Sequence, residues 1–106
     1  MIVVTTPDVT GSRVTRMLGM VRGSSIRTRH VGRDIMAVFR NLAGGEIPEY
    51  TKMLAEAREQ AVDRMVAEAQ QNGANAITNV RFATSYIMGA ASEIMAYGNG
   101  VVTEPE

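Results

Sequence analysis

Between Pro48 and Asn72 the apolar residues Tyr50, Met53, Leu54, Ala57, Ala61, Met65 and Ala69 recur at three- and four-residue spacing, and Val62 and Val66 widen the stripe. This spacing predicts a helix over 48–72. Pro48 suits the first helical position, where a missing N–H costs nothing, and Glu46 and Glu49 suit the positive end of the helix dipole. Asn72-Gly73 stops it. The alanine seam lets a neighbour approach closely. An amphipathic helix of this length gains most of its stability from covering another apolar surface, so the flanking chain must supply one.

The flanks read as strands. Residues 2–6 (Ile-Val-Val-Thr-Thr) are β-branched throughout. Residues 14–29 form a long β-prone stretch. Strict alternation sets Val14, Arg16, Leu18, Met20 and Arg22 on one face and Thr15, Met17, Gly19 and Val21 on the other. Apolar residues on both faces suggest a strand covered on both sides. Gly19 and Gly23 suggest bulges or bends. Asp34 opens a short helix over 34–43 that is apolar on nearly every side, and Gly44-Gly45 ends it. Residues 75–88 read as a strand, 89–92 as a turn, and 93–103 as a last strand interrupted at Gly98-Asn99-Gly100. The expected fold class is α+β in the order β-β-α-α-β-β, a mostly antiparallel sheet packed by one long helix.

One domain, residues 1–106, fills the chain. With no Cys, disulfides, thiolate metal sites and cysteine nucleophiles are excluded; one histidine excludes a multi-histidine metal site within a single chain. Five aromatic residues and no Trp make a thin stacking platform, which disfavours nucleic acid as a partner. No run approaches the roughly 20 apolar residues of a membrane helix, and no signal-peptide pattern opens the chain, so the expected location is cytoplasmic, with no membrane partner.

Net charge is zero but unevenly spread. Residues 1–45 carry seven Arg against Asp8 and Asp34, whereas residues 46–106 carry Lys52, Arg58, Arg64 and Arg81 against nine carboxylates. The simplest consequence is that the basic half faces the acidic half, within one chain or between copies. A chain of this size buries only about 65% of its unfolded surface. Without disulfides, and with a short helix and a second strand apolar on both sides, an isolated copy would leave a large apolar patch in water. A homo-oligomer is expected.

Several segments, in order, resemble the small proteins of unknown function called YbjQ-like or UPF0145. They are the opening strand ending in Thr5-Thr6, Gly19-Met20-Val21-Arg22-Gly23, Gly32-Arg33-Asp34, Gly44-Gly45-Glu46 through Tyr50, Gly73-Ala74-Asn75-Ala76, and Glu93 to Tyr97-Gly98. The resemblance covers nearly the whole chain. It implies a dodecin-like subunit, a ring-shaped homopentamer and a heavy-metal-binding label. The family commonly reads Tyr-Gly-Thr-Ala-Val where this chain has Tyr97-Gly98-Asn99-Gly100-Val101, and often has Asp where this chain has Ala83.

Three chemistries can be built from these residues. For a metal ion, His30 is the imidazole on offer, combined across copies or with Asp34 or Glu46. Thioethers add little: Met17, Met20, Met36, Met53 and Met65 read as core, and Met88 and Met95 flank the last turn. For a small anionic ligand, Arg27 and Arg29 share a strand face, near Arg22, His30 and Arg33. A ligand pocket near the helix–sheet corner draws on Arg33, Asp34, Glu46, Tyr50, Glu93 and Tyr97. The same carboxylates and phenols at subunit interfaces define the alternative, a small acid–base enzyme. Helix capping by Asp34 and Glu46, and arginine pairing by Glu93, explain them without catalysis, and no nucleophile elbow, phosphate loop or metalloprotease motif is present. A non-enzymatic binding protein is the favoured reading.

Overall fold

The computed structural model describes residues 1–28, 48–87 and 91–106. In chain order these form β1 (Ile2–Val3), β2 (Ser12–Thr28), α1 (Pro48–Gln71), β3 (Ala76–Ile87) and β4 (Ala91–Pro105). The strands make one sheet in the order β1-β3-β4-β2. It is mixed: β1 runs parallel to β3, while β3–β4 and β2–β4 are antiparallel. The order among the described residues is β-β-α-β-β, and the expected order β-β-α-α-β-β adds one helix to it. The short helix expected over 34–43 lies outside the described residues.

The helix forms where the apolar stripe predicts it. Ala57, Ala61, Met65 and Ala69 are fully buried, and Leu54, Val62 and Val66 pack at the margins of the same cluster. Gly73 ends α1 in a left-handed conformation (φ 87°). Its N–H reaches the Gln70 carbonyl at 3.1 Å, and the Ala74 N–H reaches the Ala69 carbonyl at 2.9 Å. These two bonds satisfy carbonyls that a helix end otherwise leaves open.

One face of the sheet receives α1. Val21, Gly23 and Ser25 of β2 stand opposite Gly98, Ala96 and Ile94 of β4, and all six are buried. Gly23 marks the closest approach, because a Cβ there would overlap the backbone of Ala61 and Met65. Glycine at this point is a packing device rather than the expected bend. Close by, the buried Ser25 hydroxyl donates to Gln60 Oε1 at 2.8 Å, Arg64 Nη1 donates to the Ser24 carbonyl, and the Arg22 N–H reaches Glu68 Oε2 at 3.4 Å.

Two shifts in register, between Val14 and Arg16 and between Met17 and Gly19, break the simple alternation expected of β2. Each lets one extra residue into the strand and resets which side chains share a face. Leu18 consequently packs at the edge of the α1 cluster, whereas Met17 and Met20 stand on the opposite face and are 71% and 58% exposed. A third bulge lies in β3 between Thr78 and Arg81, where Asn79 adopts φ 55°.

β4 runs unbroken through Gly98-Asn99-Gly100, against the expected interruption. A Cβ at Gly98 would come within 2.8 Å of both Ile77 Cγ2 and the Thr78 carbonyl oxygen. That glycine fits a central strand against a crowded bulge.

On the face opposite α1, Val9 and Val4 of the first connection cover Ala76 and Val101. Asn75 pins this end: its Oδ1 accepts from the Thr103 N–H at 2.8 Å and from the Thr103 hydroxyl at 3.2 Å, and its Nδ2 donates to the Thr103 carbonyl at 2.9 Å.

Candidate functional site

Beyond that small cluster, the face opposite α1 presents an open array built from three strands. Registers define its rows: Met20–Asn99–Thr78, Arg22–Tyr97–Arg81, Ser24–Met95–Ala83 and Ile26–Glu93–Ser85. Every other residue of a strand points to the same face, so these twelve positions share one face, on which Thr78 is buried. Tyr97 and Glu93 are half-buried in the central strand, whereas Arg22 and Arg81 are exposed on either side. Arg81 is held in place, its Nη1 donating to the carbonyls of Thr5 at 2.9 Å and Val80 at 2.8 Å. Glu93 Oε1 accepts from the Ser85 hydroxyl at 3.3 Å.

Among the expected pocket residues, Glu93 and Tyr97 lie on this same face, four residues and about 13 Å apart along β4. Tyr50 lies in the first turn of α1. Arg27 stands opposite Ser92 near the end of β2. Arg29, His30, Arg33, Asp34 and Glu46 lie outside the described residues, as does Met88. Met95 pairs with Ala83, four residues along β4 from the Ile87–Ala91 pair that closes the hairpin, so it stands well away from the turn.

Arg81 was not among the residues singled out from the sequence. The signal that locates it is hairpin symmetry: β3 and β4 fold about position 89, so 81 meets 97. A turn placed at 89–92 shifts that pairing and hides the contact. Among the described residues no group of three or more His, Asp or Glu is arranged to hold a metal ion, and the single ion pair, Arg13–Glu104 at 3.7 Å, is exposed. No described helix is long and apolar enough to cross a membrane.

The architecture is that of a small α+β subunit with a four-stranded mixed sheet and one helix layered on it. The chain belongs to the YbjQ-like, UPF0145 family: a family model described as "Putative heavy-metal-binding" matches residues 1–104. A UPF0145 protein of Pyrococcus horikoshii is 55% identical over 97% of this chain and 88% of its own length. Another from Dehalococcoides mccartyi is 54% identical over 98% of this chain and the whole of that protein. Similarity also extends to a solved structure from Pediococcus pentosaceus, described as a protein with unknown function of the DUF74 family. It covers 100% of this chain and 98% of that one with a TM-score of 0.56 at 18% identity, a likeness of fold alone.

Proposed function

We propose that this protein is a non-enzymatic, cytoplasmic homo-oligomer of dodecin-like subunits, a pentamer as its family resemblance implies, that holds a small ligand or a metal ion. The observation that carries this reading is the open sheet face. Met17, Met20 and Ile26 on that face are each more than half exposed, and Tyr97 and Met95 adjoin them in the central strand. Apolar side chains aligned on one face of a regular sheet are what a second protein layer covers. The chain's proportions agree: its Cα radius of gyration is 17.1 Å, against about 13 Å for a compact domain of this length. An extended subunit of this kind gains from neighbours the burial it lacks alone.

Sedimentation velocity at micromolar concentration tests the assembly. The expected species is several times the 11.5 kDa of one chain. A folded species of one chain mass overturns the reading. Native mass spectrometry of the purified protein reads copy number and any retained ligand together. The metal arm is tested by titration with copper, zinc and nickel beside His30→Ala. Binding that the substitution abolishes supports His30 as a ligand, and no heat or spectral change with any of the three removes metal binding from the proposal.

A further inference from the structure

We propose that copies of this chain join by continuing the sheet: the outer border of β3 at 82–86 in one copy pairs with the outer border of β2 at 26–28 in the next. The inference rests on the proposed ring and gives it a contact and a strand order. Hydrogen bonds fix which main-chain groups point outward. On β3 the Val80 N–H reaches away from β4 to the Val4 carbonyl at 3.1 Å. Alternation then turns the main chain of Arg81 toward β4 and that of Phe82 and Thr84 outward. The opening segment covers this border only as far as Arg81, whose Nη1 donates to the Thr5 carbonyl. Beyond it, no main chain among the described residues bonds to the outer groups of Phe82 or Thr84. On β2 the Arg22 N–H and the Ser24 carbonyl point outward to Glu68 and Arg64. Ile26, two residues further on, presents its main chain on the same side, and no main chain among the described residues bonds to it there.

Three features favour a second copy as the occupant. Both free borders lie at the same end of the sheet, where Ile26, Glu93 and Ser85 share one row and Thr28, Ala91 and Ile87 another. Because β2 and β3 each run antiparallel to β4, they run parallel to each other. Rotation about an axis along the strands therefore brings β3 of one copy beside β2 of the next as a parallel pair, a head-to-tail contact that repeats until the ring closes. The second feature is Phe82. It stands opposite the buried Ala96, on the α1 face, yet is 50% exposed, because α1 lies mainly over β2 and β4. In the ring, α1 of the next copy lies over its own β2, and so beside Phe82. The third is the absence of a guard. From 82 to 87, β3 has no charge, no proline and no shift in register, the devices that otherwise keep a border unpaired.

Hydrogen exchange of the full chain, resolved to single amides, tests the contact beside sedimentation velocity. In the assembled protein the Phe82 and Thr84 amides are expected to exchange at least about a hundredfold more slowly than unstructured amides. Thr84→Pro removes an outward N–H and leaves the bonds from β3 to β4 in place, because a border position of this kind tolerates proline. Ile26→Pro does the same on the other border. Each variant is expected to keep the wild-type circular dichroism and to sediment toward one chain mass. If a variant fails to fold, the exchange of the wild type decides. An intact assembly whose Phe82 and Thr84 amides exchange freely overturns the border contact and leaves the ring standing. Slow amides in a species of one chain mass assign the border to another part of the same chain and overturn the proposal. Assembly of both folded proline variants at the wild-type size overturns it too. A single-chain species with freely exchanging amides sinks ring and border together.

Discussion

Gly23 and Gly98 show how single residues set this packing. Gly23 lies under the α1 backbone, so its constraint comes from main chain that cannot rotate away. Gly23→Ala is therefore expected to destabilise by about 3 kcal/mol, the upper range for forcing volume into a packed core. Urea unfolding at fixed protein concentration measures it, and a midpoint within error of wild type contradicts the contact. Asn75 offers a milder case. Asn75→Ala removes three hydrogen bonds to Thr103 and is expected to cost about 1 kcal/mol, because the site is partly open to water. The role of Gly23 was visible in the sequence only as an unusual glycine. Whether such a residue serves a bend or a contact depends on what crosses it, and a helix more than 35 positions later is not local information.

Helix α1 was the element most fully legible from sequence, from Pro48 at its start to the stop at Asn72-Gly73. Its period, its first-turn proline and its terminal glycine are all local signals that agree. Gly73→Ala is expected to cost about 1 kcal/mol, since a Cβ disfavours φ 87°. Loss of circular dichroism at 222 nm during thermal unfolding reports it, with a lowered midpoint expected at equal protein concentration. The strands were legible in existence but not in register. The bulge between Met17 and Gly19, which Gly19 marked in the sequence, sets Met17 on the same face as Met20, away from α1, whereas no residue marked the bulge between Val14 and Arg16. The third bulge, at Asn79, lies in a stretch whose sequence reads as plain strand. The candidate site suffered for the same reason. Tyr97 and Glu93 were identified as polar groups near a corner, whereas their actual neighbours are fixed by cross-strand pairing.

For the whole molecule, the proposed self-association can be tested on the sheet face opposite α1. Met17→Glu together with Met20→Glu places two carboxylates where apolar contact is proposed. The pair is expected to shift sedimentation toward a one-chain species while leaving the α1 cluster intact, because both residues stand on the other face. An unchanged sedimentation coefficient would place the subunit contact elsewhere. The overall class was legible because composition and element order together leave few architectures for a chain this short. The parallel pairing of β1 with β3 was not, since a two-residue strand carries too little pattern to choose its partner.

The arginine and glutamate that α1 lends to the outer side of β2 carry a consequence for growth. Arg64 and Glu68 occupy the main-chain groups of Ser24 and Arg22 that an incoming strand would need. That border is blunted by charged side chains, a device that discourages runaway stacking of chains into fibrils. Substituting Arg64 and Glu68 with alanine would lift the guard, and the first sign would be turbidity on prolonged storage rather than a lower melting point.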